Sequence, residues 1–243
     1  MPIEYLGLSS INGPLIALEG VQDAFYDEIV EFIINGSERR IGRIIELYED
    51  KAVIQVFEGS ENMSLKNTHT RLTGRPMEIT LSKDMLGRTF NGIGQPIDDL
   101  GPIVSKLKRD VNGLPLNPVK REYPRNYIRT GISAIDGLTT LIRGQKLPIF
   151  SGNGLPHDQL AAQIVKQASL GEDSDEEFAI VFAAMGVKHD VADFFRRTFE
   201  ESGVADHVTM FLNLANDPVV ERLITPKVAL TVAEYLAFEQ NMH

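Results

Sequence analysis

Residues 146–158 read KLPIFSGNGLPHD and run directly into QLAAQIVKQASL at residues 159–170. An apolar run, a glycine-rich turn and then apolar residues at helical spacing are the parts of a phosphate-binding loop, which joins a strand to a helix. The apolar run therefore predicts a strand at 147–150, although Pro148 within it has no N–H to donate to a sheet. The stretch indicates an α/β region organised around a loop of the nucleotide-binding type.

The chain on both sides of this loop alternates between helical and extended patterns from Thr130 onward. Thr130 is predicted to cap one helix and Asp190 to cap another. Thr225-Pro226 fits the N-cap and the first helical position of a last helix. The order β-α-β-α-β-α predicts a parallel sheet with crossover helices. The predicted strands are 147–150, 178–184 and 208–212.

Three details of this pattern are specific enough to compare with a structure. The helix after Thr130 is predicted to bury one face, and the continuously apolar strand 178–184 to be covered on both faces. The acidic run 172–177 before that strand is predicted to be a solvated loop. The apolar face of the helix after Thr130 consists of Ile132, Ile135, Leu138 and Ile142.

The first part of the chain consists of short extended runs separated by turn residues. Asn35-Gly36 and residues 49–51 are turn signals, and their close spacing predicts a small antiparallel barrel or sandwich. Residues 73–127 are rich in Gly and Pro, which predicts turns and an extended connector rather than long helices. The extended runs are PLIAL (14–18), EIVEFII (28–34), RRIGRIIELYE (39–49) and KAVIQVFEG (51–59).

These patterns together predict a small antiparallel β-barrel followed by an α/β domain with a P-loop-type parallel sheet. The predicted domain boundaries are 1–72 for the barrel and 73–243 for the α/β domain. With 43% hydrophobic residues, the chain of 243 residues has enough apolar surface for one sizeable core or two smaller ones.

The composition excludes several classes of function. The formal net charge of −10 argues against nucleic acid or an anionic membrane surface as the main partner, because both attract a basic face. The chain has no cysteine, which excludes disulfides, thiol chemistry and cysteine-ligated metals. No apolar stretch is long enough to span a bilayer, and the first 20 residues lack the pattern of a signal peptide. A soluble cytoplasmic protein is expected.

The candidate loop departs from a functional phosphate-binding loop at the positions that carry the chemistry. In GxxxxGK followed by Ser or Thr, glycines free backbone N–H groups for the phosphates, lysine neutralises charge and the hydroxyl binds magnesium. Here Ser151 and Pro156 stand at the glycine positions, His157 at the lysine and Asp158 at the hydroxyl. The candidate nucleotide-binding residues are Ser151, Gly152, Asn153, Gly154, Leu155, Pro156, His157 and Asp158.

These departures carry a substantial energetic cost for phosphate binding. Losing a charged lysine contact costs about 1.5–3 kcal/mol, and Pro156 removes one N–H donor. A carboxylate at Asp158 about 4 Å from a phosphate costs on the order of 4 kcal/mol at an effective dielectric of about 20. Magnesium between the charges offsets part of that cost, so weak nucleotide binding stays open beside the interpretation of 151–158 as a plain strand-to-helix turn. Catalysis through the loop is not expected, and no catalytic residue or metal ligand is assigned.

Several motifs in order resemble the nucleotide-binding subunits of the rotary ATPases. They are LGRTFNGIGQPIDDLGPI (86–103), TGISAIDGLTTLIRGQKLPIFSG (130–152) and LTVAEYL (230–236). The pattern is most similar to the non-catalytic B subunits of the V/A-type ATPases and ATP synthases, and the resemblance covers essentially the whole chain. It implies a RecA-like nucleotide-binding domain, incomplete here, and in that family the B subunits have a degenerate loop like SGNGLPHD.

The resemblance identifies a second position at which a catalytic side chain is absent. Members that hydrolyse ATP place a glutamate, which polarises the attacking water, shortly after the strand that follows the loop helix. The matching position is Val187, which accepts neither a proton nor a hydrogen bond, and Lys188 stands where those members tend to have arginine. The resemblance therefore implies that this chain is a non-catalytic part of an ATP-driven enzyme complex.

The resemblance also implies partners, cofactors and a location. Three B subunits alternate with three catalytic A subunits in a hexameric ring around a central shaft, and the ring couples ATP hydrolysis or synthesis to proton or sodium transport. ATP or ADP with magnesium is expected at the interface with the catalytic A subunits, and no cofactor is expected on this chain alone. The expected location is the cytoplasmic, membrane-peripheral head of the complex, without membrane insertion or nucleic acid.

The match to the family stops at EYLAFEQNMH (234–243), before the strand with the magnesium-organising Asp, the arginine that stabilises the transferring phosphoryl group, and the C-terminal helical domain. An N-terminal portion of the B-type protein is therefore expected, with an unpaired sheet edge that favours marginal stability or self-association. Two alternatives stay open: a stand-alone, non-enzymatic interaction module and an unusual active P-loop ATPase. The second needs a lysine beside the loop, whereas Lys146 precedes the turn and Lys166 lies more than two helical turns beyond it.

Overall fold

The computed structural model describes residues 4–115, 117–123, 125–170 and 177–243. Its first sheet is a curled antiparallel barrel sheet in the order β1-β7-β4-β5-β6-β3-β2. The strands are β1 (Glu4–Leu6), β2 (Ser10–Asn12), β3 (Leu15–Glu19), β4 (Glu28–Ile34), β5 (Glu38–Tyr48), β6 (Lys51–Val56) and β7 (His69–Pro76). Four of these strands lie where the extended runs predict them. The division at residues 72 and 73 stays a prediction, since β7 continues to Pro76.

The alternation of buried and exposed residues determines which face of each barrel strand is internal. In β4 every second residue is buried, which is the period of a strand with one face in a core. Asn35 and Gly36 join β4 to β5 with φ angles of 50° and 76°, the left-handed conformation of a type I′ hairpin turn. The barrel core contains Leu8, Ile16, Leu18, Val21, Val30, Phe32, Ile44, Ala52, Ile54, Val56 and Leu72.

The Gly- and Pro-rich connector is extended, as expected, but it also contributes to both of the remaining sheets. Its elements are β8 (Glu78–Thr80), a 3-10 turn at Lys83–Met85, β9 (Thr89–Asn91), β10 (Lys108–Asp110) and a 3-10 turn at Pro118–Lys120. β8 pairs with β10 in an antiparallel ladder, whereas β9 joins the parallel sheet. A three-residue strand is too short for periodicity to reveal it.

The remaining elements form the α/β region. They are α1 (Ser133–Leu138), α2 (His157–Gln167), β11 (Ile180–Val187), α3 (His189–Ser202), a 3-10 turn at Ala205–His207, β12 (Val208–Leu214) and α4 (Val219–Phe238). The parallel sheet has the order β11-β12-β9. The predicted fold class, a small antiparallel barrel followed by a parallel-sheet α/β domain, is confirmed.

Strand β12 is the centre of the parallel sheet, and its side chains alternate between two cores. Phe211 stacks on Phe90 with ring centroids 5.2 Å apart and packs beneath α4. On the other face Phe182 of β11 packs against Phe195 and Phe199 of α3, with centroids 4.6 Å and 5.3 Å apart. Helix α3 therefore covers this face of the parallel sheet.

The core beneath α4 also includes part of the barrel. Phe57, directly after β6, is fully buried in that core together with Val220 and Ile224 of α4. An ionic network lies nearby, because Asn112 donates to Asp27 at 2.8 Å and accepts from Lys227 of α4 at 2.7 Å. The start of α4 is thus packed against the end of the barrel.

One predicted strand is absent from the described residues, and another is shifted at its start. Residues 147–150 belong to no sheet of the described chain, and Phe150 is 92% exposed. An apolar run forms a strand only where it finds a ladder partner, and Pro148 already lacks one donor. Strand β11 begins at Ile180, two residues later than predicted. Val181 and Ala183 pack against the core beneath α4, and Phe182 and Ala184 pack against the core with α3, so both faces are covered as predicted, although only Ala184 is fully buried.

Three predicted helix starts are also wrong. Asp190, predicted to cap α3, is the second residue of that helix, and the N-cap is Lys188. The N-cap of α1 is Ile132, and Thr130 instead donates its hydroxyl to Asp136 at 2.7 Å. Leu138 is exposed, so the predicted apolar face of α1 is not buried. α4 begins at Val219 and contains Pro226 in its interior, because burial of apolar residues before Thr225 extends the helix beyond the local cap signal. Of the predicted acidic loop 172–177, only the last residue lies within the described residues.

Candidate functional site

The candidate loop joins an unpaired extended segment to helix α2. Ser151 to Pro156 precede the helix, and His157 and Asp158 are its first two residues. Gly154 has a φ of 84°, a left-handed conformation that glycine adopts without strain. All eight candidate residues are exposed except Asp158, which is half-buried. The helix part of the prediction is therefore correct, and the strand part is not.

The loop makes few contacts of its own. The N–H of His157 donates to the carbonyl of Leu155 at 2.9 Å, and the N–H of Leu160 donates to the carbonyl of Pro156 at 3.0 Å. The imidazole Nε2 of His157 lies 3.6 Å from the carboxylate of Asp158. The N-cap of α2 is Pro156, which makes no side-chain capping bond.

This arrangement does not fit magnesium triphosphate as a functional phosphate-binding loop does. In the formal charge at pH 7, His157 is neutral and Asp158 is a carboxylate, which repels phosphate. His157, at the lysine position, is paired with that carboxylate when it is protonated. The turn is open to its surroundings, because a Cβ added at Gly152 or Gly154 would meet nothing within 4 Å. The loop is an open, exposed turn at the start of α2, and it has no lysine.

The position matched to the catalytic glutamate lies at the carboxyl end of the parallel sheet. Val187 is the last residue of β11, is paired with Leu214 of β12, and its carbonyl accepts from Ala215 at 2.7 Å. Lys188 is the N-cap of α3 and makes no side-chain capping bond. This edge is where ligands bind in open α/β sheets, so the aliphatic side chain of Val187 stands where chemistry would be expected.

A buried polar group at the same edge was missed by the sequence analysis. Asn213 is fully buried, and its Oδ1 accepts from Arg222 Nε at 2.8 Å. The N–H of Leu214 donates to Asp217 at 2.6 Å. The signal was present, because Asn213 and Asp217 directly follow a predicted parallel strand, the place at which ligands bind.

Glu221 is the unusual member of this group. It is 7% exposed in the first turn of α4, and within the described residues its carboxylate accepts no hydrogen bond. Burial, followed by the negative charges of Asp217 and Glu58, raises the pKa of Glu221 from 4.5 to about 7. A group that titrates at neutral pH at this edge is a candidate for function.

Two family models match most of the chain. The model described as the beta-barrel domain of the ATP synthase alpha/beta family matches residues 8–73, and the nucleotide-binding domain of the same family matches residues 131–243. This chain belongs to the ATP synthase alpha/beta family. The barrel and the parallel sheet therefore correspond to two named domains of that family.

Three relatives show which branch of the ATP synthase alpha/beta family is most similar. The chain is 61% identical over 241 residues to V-type ATP synthase beta chain 2 of Clostridium tetani. It is 58% and 55% identical, each over 240 residues, to the V-type ATP synthase beta chains of Halothermothrix orenii and Thermotoga neapolitana. Each match covers 99% of this chain and 52% of the relative, so the chain spans about half the length of the curated relatives it matches.

Two further observations concern the described parts of the chain. None of the described helices combines the length and the apolar character that crossing a membrane requires. Residues 4–115, 117–123, 125–170 and 177–243 contain no group of three His, Asp or Glu side chains that is arranged to hold a metal ion.

Proposed function

We propose that this chain acts as the non-catalytic, B-type nucleotide-interface component of a V/A-type rotary ATPase or ATP synthase. In this role it alternates with catalytic A subunits in a ring around a central shaft, and it contributes structure rather than chemistry to ATP turnover. Nucleotide and magnesium are held at the interface with the catalytic A subunits rather than by the loop 151–158 alone. The assembly is peripheral to the membrane whose ion transport it drives.

The observation that carries this proposal is the chemistry of the loop within a family of nucleotide-binding proteins. His157 and Asp158 stand where a working loop has lysine and a hydroxyl, and they are the first two residues of α2. Val187 independently lacks the functional group that activates water. The domain otherwise matches the family, but it lacks both the phosphate-binding side chains and the glutamate that activates water. These two losses favour a role in assembly and coupling rather than in catalysis.

The proposed partners follow from the relatives. Each is called a V-type ATP synthase beta chain, which is by name one component of a larger assembly. Identity of 55% or more over nearly the entire chain supports the same place in the same kind of assembly. A stand-alone interaction module would have no such partner. An active P-loop ATPase would hydrolyse ATP on its own.

A chimeric protein tests the proposal in a complete assembly. Residues 1–243 replace the 241 matched residues of the Clostridium tetani beta chain, which is then combined with the catalytic subunits of that organism. We expect a hexameric ring with ATPase activity within a few-fold of the unmodified assembly. A chimera that folds but fails to enter the ring would overturn the assignment, as would turnover by the 243-residue chain on its own.

A matched variant separates chemistry from assembly. In the chimera, Val187→Glu alone is expected to leave the ring's activity unchanged, because the neighbouring loop still lacks lysine. The same ring carrying catalytic A subunits with their own loop lysine removed is expected to lose activity. Activity that depends on the chimeric loop rather than on the catalytic A subunits would contradict the proposal.

A further inference from the structure

Three carboxyl groups from different segments come together where the barrel contacts the start of α4. Glu221 lies in the first turn of α4, Asp217 in the connection before it, and Glu58 two residues after the end of strand β6. Their negative charges are close enough for Asp217 and Glu58 both to disfavour ionisation of Glu221. Glu58 is the residue after Phe57, which is buried in the core beneath α4. The charges therefore bear directly on the contact between barrel and α/β region.

The surroundings of Glu221 offer little to stabilise a negative charge. A Cβ added at Gly92 would lie 2.6 Å from Thr225 Oγ1, 3.3 Å from Asn213 Cβ and 3.5 Å from Glu221 Oε2. The backbone at Gly92, directly after β9, thus lies close to the carboxyl group, and the hydroxyl of Thr225 already donates to the backbone carbonyl of Glu221 at 3.0 Å. A buried carboxylate without donors favours its neutral form.

A second, independent observation points to a group here that changes its ionisation state. Asn213 is fully buried beside Glu221, and its Nδ2 has no hydrogen-bond partner among the described residues. Its Oδ1 is held by Arg222, so the amide orientation is fixed and Nδ2 is the free donor. A buried unpartnered donor costs about 1–3 kcal/mol and is normally retained for a reason. Glu221 Oε2 and Asn213 both lie beside Gly92, so an ionised carboxylate at Glu221 is the acceptor that we assign to this donor.

The other charged groups around the three carboxyl groups determine how far a negative charge at Glu221 is stabilised. The guanidinium of Arg222 is engaged by Asn213 Oδ1 and the carbonyl of Leu214, at 2.8 Å and 3.3 Å. Burial and, more weakly, the charge of Glu38 raise the pKa of Glu58, whereas Arg40 and a backbone N–H oppose that rise. Arg222 and Arg40 thus make their hydrogen bonds to other groups, and an ionised Glu221 faces the carboxyl groups of Asp217 and Glu58.

We propose that Glu221 is a proton-binding site that controls the contact between the barrel and the start of α4. When neutral, Glu221 lets Glu58 and Asp217 lie close together, and the barrel end packs against α4. On ionisation the Oε–H bond breaks and solvent takes the proton. The electron pair stays on the carboxylate, which then attracts Asn213 Nδ2 and repels Glu58 and Asp217. The contact weakens as the pH rises through neutrality.

Direct titration of the 243-residue chain tests the site itself. Carboxyl carbon NMR of glutamate-labelled protein is expected to show one signal with a midpoint near pH 7, and this signal is absent in Glu221→Gln. The Asn213 side-chain amide is expected to shift with the same midpoint. Glu58→Gln removes one repelling carboxyl group and is expected to lower the Glu221 midpoint. A Glu221 signal that titrates at the ordinary value for glutamate would refute the proposal, even if the glutamine variant does not fold.

Hydrogen exchange tests the control of the contact. If opening returns Glu221 to its ordinary pKa, the opening constant rises about tenfold between pH 6 and pH 8, beyond the intrinsic pH dependence of exchange. This excess is expected at the amides of residues 57–59 and 213–222, and it disappears in Glu221→Gln. Glu200→Gln, which removes an exposed charge from α3, is the control and keeps the excess. An excess that persists in Glu221→Gln, or is absent from the unmodified chain, contradicts the proposal.

Discussion

Two connections into helices of the same α/β region have opposite characters. The connection 151–156 before α2 is glycine-rich and exposed, and it follows a segment that pairs with no described strand. The connection 215–218 before α4 follows the central strand β12 and is joined to its surroundings by hydrogen bonds through Asp217 and Arg222. The first has the sequence of a binding loop without its charges, and the second leads into the buried carboxyl group of Glu221 without a recognisable motif. A motif alone is therefore a poor guide to where the titratable chemistry of this chain lies.

The largest expected contrast between the two connections is in packing. Phe211 in β12 is fully buried against Phe90, whereas Phe150 before the loop is 92% exposed. Phe211→Ala is expected to lower the free energy of unfolding by about 3–5 kcal/mol, because a large core side chain is lost. Phe150→Ala is expected to change it by no more than about 0.5 kcal/mol. Urea unfolding of both variants is the measurement, and equal losses would show that the first connection is packed as firmly as the second.

The next contrast is electrostatic and depends on pH. The folded state raises the pKa of Glu221 from 4.5 to about 7, so the folded state binds this proton more tightly than the unfolded chain. The associated stability is fully present below pH 4.5 and is lost as the pH rises to 7, by up to about 3 kcal/mol. Glu221→Gln is therefore expected to be more stable than the unmodified chain at pH 8, and no more stable at pH 4.5.

The control for this stability measurement lies on the exposed side of α3. Glu200→Gln removes the same charge from a solvated position and is expected to shift stability by only a few tenths of a kcal/mol at either pH. A pH dependence that is the same in Glu221→Gln and in the unmodified chain would show that another group is responsible.

A smaller contrast compares two glycines, one beside each connection. An added methyl at Gly92 would lie 2.6 Å from Thr225 Oγ1, whereas at Gly152 it would meet nothing within 4 Å. Gly92→Ala is expected to cost about 1–3 kcal/mol through overpacking. Gly152→Ala is expected to be neutral or stabilising by less than about 1 kcal/mol, because it restricts the unfolded chain. Thermal unfolding of both variants is the measurement. A larger loss of stability in Gly152→Ala than in Gly92→Ala would contradict the comparison.

The smallest expected effect concerns the chemistry of the loop. His157→Lys in the 243-residue chain restores one positive charge, but it leaves Pro156 and Asp158 in place and provides no group at Val187 to activate water. No ATP turnover above background is expected in a coupled assay, either before or after the substitution. Measurable turnover in either protein would mean that the exposed loop is more capable than its composition indicates.

The barrel was predictable from the sequence because its determinants are local. Asn35-Gly36 specifies a hairpin through left-handed backbone angles, and the alternation in β4 specifies which face is buried. The α/β region was predictable in element order but not in its details. Thr225-Pro226 has the local signature of a helix start, yet tertiary burial of Val220 begins the helix earlier.

The candidate site was predictable only where a motif marks it. The loop 151–158 was located from spacing, and the start of α2 was found there. The pairing of 147–150 depends on a neighbouring strand that a local pattern does not reveal. The cluster around Glu221 was missed because its members come from β6, the connector, β12 and α4, and only the folded chain brings them together.

The central claim is that the loop 151–158 is an open, exposed turn without the groups that hold a triphosphate. Titration of the isotope-labelled 243-residue chain with magnesium-ATP, followed by the amide signals of Gly152, Gly154 and His157, tests it most directly. The account predicts shifts that are small and do not saturate at millimolar nucleotide. Saturating shifts at these amides with a dissociation constant in the micromolar range or below would contradict it.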